Sequence, residues 1–134
     1  MAEVTKTGLP TISTGAASTN SRIGGWKAGE TIEGGDALYI KGADGMLYRT
    51  SGAAADEKRV FAGLAGESGT RGKGVTILKG VNVGYKTDLP PGTLLYLSAT
   101  VPGGFDTAPT TGGTKPVAQV MDGGIIHVYD APGI

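Results

Sequence analysis

The chain contains no cysteine, one histidine and one tryptophan among its 134 residues. Without cysteine there are no disulfides, no thiol nucleophiles and no thiolate-bound metals. With one histidine, a Ser-His-Asp triad would have to use His127, and no G-x-S-x-G turn supports one. His127 lies between Ile126 and Val128 in a strand-like run and reads as an outward strand position. An excess of one charge is also missing, because twelve Lys and Arg balance twelve Asp and Glu. No basic stripe is visible, so nucleic acid is not an expected partner. No apolar run reaches the roughly 18 residues of a membrane-spanning helix, so a membrane is not expected either. Residues 1–21 lack the continuous apolar stretch of a secretory signal. The expectation is work inside the cell or exit without a signal peptide. Hydrophobic residues make up 39% of the chain, so the core is expected to be modest.

Glycine is abundant, with 25 residues, and proline adds 7. An interior glycine costs a helix about 1 kcal/mol relative to alanine, which argues against a helical bundle. No Gly-X-Y period is present, so collagen is excluded. Short apolar runs separated by turn residues indicate an all-β chain. The expected architecture is a small Gly-rich β-barrel or β-sandwich, pseudo-repeated and β-tulip-like, with an extended N-terminal arm. Residues 1–24 form the expected arm, rich in Thr, Ser, Ala and Gly, and residues 25–134 the expected barrel body. Residues 37–41 and 46–49 read as a hairpin around Asp44-Gly45, and residues 117–121 and 125–129 as a terminal hairpin. Residues 75–78 and 81–85 flank Lys79-Gly80 and read as a two-residue hairpin or one bulged strand.

An internal echo runs through the chain. Gly35-Asp36-Ala37-Leu38-Tyr39-Ile40 matches Gly92-Thr93-Leu94-Leu95-Tyr96-Leu97 at an offset of 57. Residues 60–64 resemble 116–120 at an offset of 56, and 74–78 resemble 124–128 at an offset of 50. The order is kept, which favours a pseudo-repeat with three or four strands from each half. The period of two puts Tyr39 and Tyr96 on the face of Ala37 and Leu94, with Leu38 and Leu95 opposite.

Signals for chemistry are weak. Gly69-Thr70-Arg71-Gly72-Lys73-Gly74 is phosphate-loop-like in composition but leads into a strand rather than a helix N-terminus, and reads as a hairpin loop. Asp44, Asp106 and Asp122 are isolated in Gly-rich turns, whereas a calcium loop gathers several oxygen ligands in one segment. Lys79, the nearest match to a lipoyl-type carrier lysine, lacks the D-K-A flanks. No catalytic residue, cofactor or metal is expected. The expected partner-binding residues are Leu9, Pro10, Ile12 and Ile23 along the arm, and Trp26 where arm meets body. Tryptophan is enriched at interface hot spots, although a core or lid position is the ordinary alternative for Trp26.

Residues 28–40, with Gly34-Gly35-Asp36-Ala37-Leu38-Tyr39, resemble a G-D-x-L-Y pattern of small capsid decoration proteins of tailed bacteriophages. Val60-Phe61-Ala62-Gly63-Leu64-Ala65 and Lys79-Gly80-Val81 are similar to later strands of that family, so the resemblance covers roughly residues 25–129. It implies a small β-barrel, often a homotrimer, seated on the major capsid protein at the outer capsid surface as a cement. Such a protein is made in the host cytoplasm and ends in the virion. A phage head-fibre or tail adhesion module that binds carbohydrate is the alternative. It would line one groove with exposed aromatics.

Overall fold

The computed structural model describes residues 3–4, 11–12, 22–85 and 89–129. The described chain is all-β, as the glycine content requires, with two 3-10 turns at Glu57–Arg59 and Asp122–Gly124 and no α-helix among the described residues. Its strands are β1 (Glu3–Val4), β2 (Thr11–Ile12), β3 (Arg22–Lys27), β4 (Ala37–Ile40), β5 (Leu47–Arg49) and β6 (Gly63–Ala65). They continue with β7 (Gly74–Leu78), β8 (Asn82–Gly84), β9 (Leu94–Leu97), β10 (Phe105–Asp106), β11 (Ala118–Val120) and β12 (Ile125–Val128).

The strands form two antiparallel sheets. The first has the order β3-β7-β6-β4-β5. The second has the order β8-β12-β11-β9-β10, widened at its outer edges by β2 beside β8 and β1 beside β10. Adding five to each strand number of the first sheet generates the order of the second. The pseudo-repeat is therefore a repeat of topology, and each half supplies five strands to its own sheet. Neither sheet closes on itself, so the barrel alternative gives way to two open sheets.

Backbone hydrogen bonds repeat with the topology. Gly35 N donates to Ala65 O as Gly92 N donates to Val120 O, each at 2.8 or 2.7 Å. Ala65 N donates to Asp36 O as Val120 N donates to Thr93 O. Gly35 and Gly92 both adopt φ of 90°, a left-handed turn that an L side chain resists. These bonds correct two of the three sequence offsets. The first echo, at 57, is in register. In the second, Leu38↔Gly63 corresponds to Leu95↔Ala118, which sets the offset at 55 rather than 56. In the third, buried Ile77 corresponds to a buried residue of β12, whereas an offset of 50 would place it on half-exposed His127. A one-residue slip exchanges the faces of a strand, so only odd offsets keep the buried positions in phase there.

The expected hairpins β4–β5 and β11–β12 are present. Lys79-Gly80 is neither a hairpin turn nor a bulge within one strand. At Gly80, with φ of 65°, the chain leaves the first sheet and enters the second. Residues 69–73 do lie in the loop between paired β6 and β7, and Gly74 is the first residue of β7.

Burial follows the period of two. Leu38, Leu47, Ala65, Val75 and Ile77 line one face of the first sheet and pack with Ala28 and Ile32. Ala37, Leu64 and Leu78 on its other face join the main core of the second sheet, which includes Leu95, Leu97, Phe105, Val120, Ile126 and Val128. Burying both faces of one sheet and one face of the other lets a chain with few large side chains exclude water. Leu94, Tyr96, Gln119 and His127 on the opposite face of the second sheet are half-buried.

Candidate partner interface

The sequence-expected residues do not gather into one patch. Leu9 and Pro10 lie outside the described residues. Ile12 is in β2 and pairs with Val83 of β8, in the second sheet. Ile23 is in β3 and pairs with Ile77 of β7, in the first sheet. Trp26 also pairs with β7, opposite Val75, after a register shift between Ile23 and Trp26 that coincides with Gly24-Gly25. It is half-buried against the Leu38–Ile77 cluster, and its indole N–H is buried without a hydrogen-bond partner. Trp26 is thus first a packing residue.

What β1 and β2 do is add strands. Glu3 and Val4 pair with Asp106 and Phe105, and Thr11 and Ile12 pair with Gly84 and Val83. An edge strand offers unpaired N–H and C=O groups, and an extended segment can satisfy them with little dependence on side chains. Only six residues separate Val4 from Thr11. Their seven backbone steps span at most about 25 Å. The outermost strands of a flat seven-stranded sheet would stand about 29 Å apart. The second sheet must therefore curl, bringing its two edges towards each other.

Among the described residues, the two halves show different contacts at the corresponding edges. In the first, Ala28, just after β3, bridges Leu47 at the start of β5, and Gly29 N donates to Leu47 O at 2.8 Å. The Glu30 carboxylate then accepts the Arg49 amide at 2.8 Å and lies 3.5 Å from the Arg49 guanidinium. The outer edge of β5 is thus capped from within its own half. In the second, Tyr85, just after β8, meets Phe105 at the start of β10 by its ring, centroids 5.5 Å apart. The outer edges of β10 and β8 pair with β1 and β2.

A polar network decorates the first half. The Tyr48 hydroxyl donates to the Asp44 carboxylate at 2.6 Å, Lys41 Nζ stands 4.8 Å from the Tyr48 ring centre, and Arg71 donates to Gly29 O at 2.7 Å. The Tyr48 hydroxyl, then the Met46 amide, hold the Asp44 carboxyl below its ordinary range. Arg71 also stands 3.5 Å from the Tyr48 hydroxyl, which links the β6–β7 loop to the β4–β5 turn. The Asp44-Gly45 turn was legible in the sequence, but nothing local pointed to Arg71. His127 lies 2.8 Å from Asn82 Oδ1 through Nδ1 and packs edge-on to Tyr129. Among the described residues the exposed large apolar side chains are Ile40, Val60, Val101 and Met121.

No protein-family model matches the chain, and no curated protein is significantly similar to it.

Proposed function

We propose that the chain is a structural virion protein that binds the outer surface of a bacteriophage capsid and cements it, acting as a homotrimer on the major capsid protein. The observation that carries this reading is strand addition. The N-terminal segment pairs with both edges of the second sheet through two short strands, β1 and β2. A two-sheet body with a segment that pairs with sheet edges suits a protein whose task is to join neighbouring subunits. The resemblance around Gly35-Asp36-Ala37-Leu38-Tyr39 supports the same reading, since Gly35 and Asp36 form the turn that starts β4.

The carbohydrate-binding alternative draws less support. Tyr39, Phe61 and Tyr85 are buried, Tyr48 is in the first sheet, and Tyr96 is in the second. The half-exposed aromatics are therefore divided between sheets rather than lining one groove. Cosedimentation of the full chain with undecorated capsids tests the proposal, with native mass of the free protein alongside. Binding at a fixed stoichiometry, weakened by deletion of residues 2–22, is the expected result. Failure to sediment with capsids, together with glycan-array binding, would replace this reading with the adhesion module.

A further inference from the structure

We infer that the outer face of the second sheet, built by β8, β12, β11 and β9, is the surface that docks on the capsid, and that the capsid surface it meets is uncharged. The inference rests on the capsid-binding reading and names its docking face. The internal repeat carries the argument. In the first sheet Ala37, Leu64 and Leu78 stand directly opposite one another across β4, β6 and β7. In the second, Leu94, Gln119 and His127 hold the same positions across β9, β11 and β12. The first row is buried in the main core, where the second sheet packs on it. The second row points away from that core and is half-buried. A face used once inside the molecule to pack on a sheet is thus presented a second time to the outside.

The chemistry of this face separates it from ordinary surface. β8, β9, β11 and β12 contain no Lys, Arg, Asp or Glu, whereas β3 and β5 contain Arg22, Lys27 and Arg49. Tyr96 and Tyr129 flank the row on one side. Ile125 lies on the other, with the exposed Met121, whose amide donates to Ile125 O. Asp106, opposite Tyr96, is buried, and its carboxylate accepts the Ala108 amide at 3.1 Å. Interface cores are enriched in tyrosine and methionine and depleted of charge. Gln119 and His127, in place of Leu64 and Leu78, decide the kind of partner. A face sealed permanently against a second copy would be as apolar as a core, since obligate interfaces are. Here Gln119 Nε2 donates to Gly92 O at 3.2 Å, and His127 Nδ1 lies 2.8 Å from Asn82 Oδ1. Polar groups with partners of their own suit a face that stands in water until a separate protein covers it. That protein presents no charge here, because a charge would lose its water with no opposite charge in return. β1 and β2, whose strand addition supports the capsid reading, border this same sheet.

Gln119→Lys and Gln119→Glu in the full chain place a charge of either sign on the face. Met121→Lys, at a more exposed position, repeats the test should the Gln119 variants not fold. Lys58→Glu, on the exposed 3-10 turn of the first half, is the control. Affinity is read by cosedimentation with undecorated capsids, and folding by the urea midpoint. Both signs at Gln119, and Met121→Lys, are expected to weaken binding at least about tenfold, with Lys58→Glu at the parent level. Raising salt from about 0.05 to about 0.5 M should weaken parent binding less than about twofold. Parent-level binding by the folded face variants, or tighter binding for one sign of charge, would overturn the inference and leave the capsid reading standing. A change in the native mass of the free variants would assign the face to a second copy and overturn it too. A parent chain that does not sediment with capsids would overturn the capsid reading, and this inference with it.

Discussion

Replacing Tyr85 with phenylalanine should stabilise the protein, and the gain should grow with pH. Tyr85 is 3% exposed, and its hydroxyl has no hydrogen-bond partner. A buried hydroxyl left unpaired costs about 1–3 kcal/mol. Phenylalanine keeps the ring against Phe105 and removes that cost, so Tyr85→Phe is expected to add about 1 kcal/mol at pH 7. Burial, then the nearby Asp36 carboxylate, push the Tyr85 phenol well above its ordinary value of 10.0. The unfolded chain therefore ionises this phenol near pH 10 while the folded chain keeps it neutral. Its contribution to stability is fully present below that pH and is lost as pH rises towards the folded value. One such group removes about 1.4 kcal/mol between pH 9 and pH 11. The other tyrosines and the lysines titrate alike in both proteins and cancel in the difference. Urea unfolding followed by Trp26 fluorescence at pH 7, 9 and 11 should show the variant's advantage widening from about 1 to about 2.4 kcal/mol. A Tyr85→Phe protein less stable than the parent, or an advantage that does not change with pH, would refute the reasoning. The first outcome would mean that the hydroxyl is hydrogen-bonded.

Two further substitutions test the fold. Gly63→Ala should cost about 2 kcal/mol or more in chemical denaturation, because φ is +146° and the new Cβ would strike the Ile77 side chain and stand 2.9 Å from the Leu78 carbonyl oxygen. Gly72→Ala, with φ of +89° and nothing within 4 Å, should cost only the left-handed strain of about 1 kcal/mol. Glu30→Ala should lower stability by about 1 kcal/mol, by leaving the Arg49 amide without its acceptor, and Glu30→Gln should lose less. Equal losses in the two glycine variants, or in the two Glu30 variants, would contradict these assignments.

The sequence by itself determined the class of fold and its repetition. Glycine content excluded helices through backbone entropy, and alternation put Leu38 and Leu95 on the face opposite Tyr39 and Tyr96 because side chains change face at every residue; that both faces of β4 are buried came only from the packing of the sheets. The first echo was in register because Gly35 and Gly92 need the same left-handed turn, a local constraint that sequence records directly. The later echoes slipped by a residue, since loop lengths between β4 and β6 differ from those between β9 and β11, and no local signal fixes register across a loop. Only the tertiary structure decided that Gly80 is a crossing between sheets, because a break in a strand looks the same locally whether the chain turns back or departs. It also decided that Trp26 packs against the interior and that Thr11–Ile12 completes an edge of the second sheet. Those outcomes depend on partners distant in the chain, 49 residues away for Trp26 and Val75 and 73 for Thr11 and Gly84. Which distant edge is left unpaired is a property of the assembled sheets, and no short run of residues contains it.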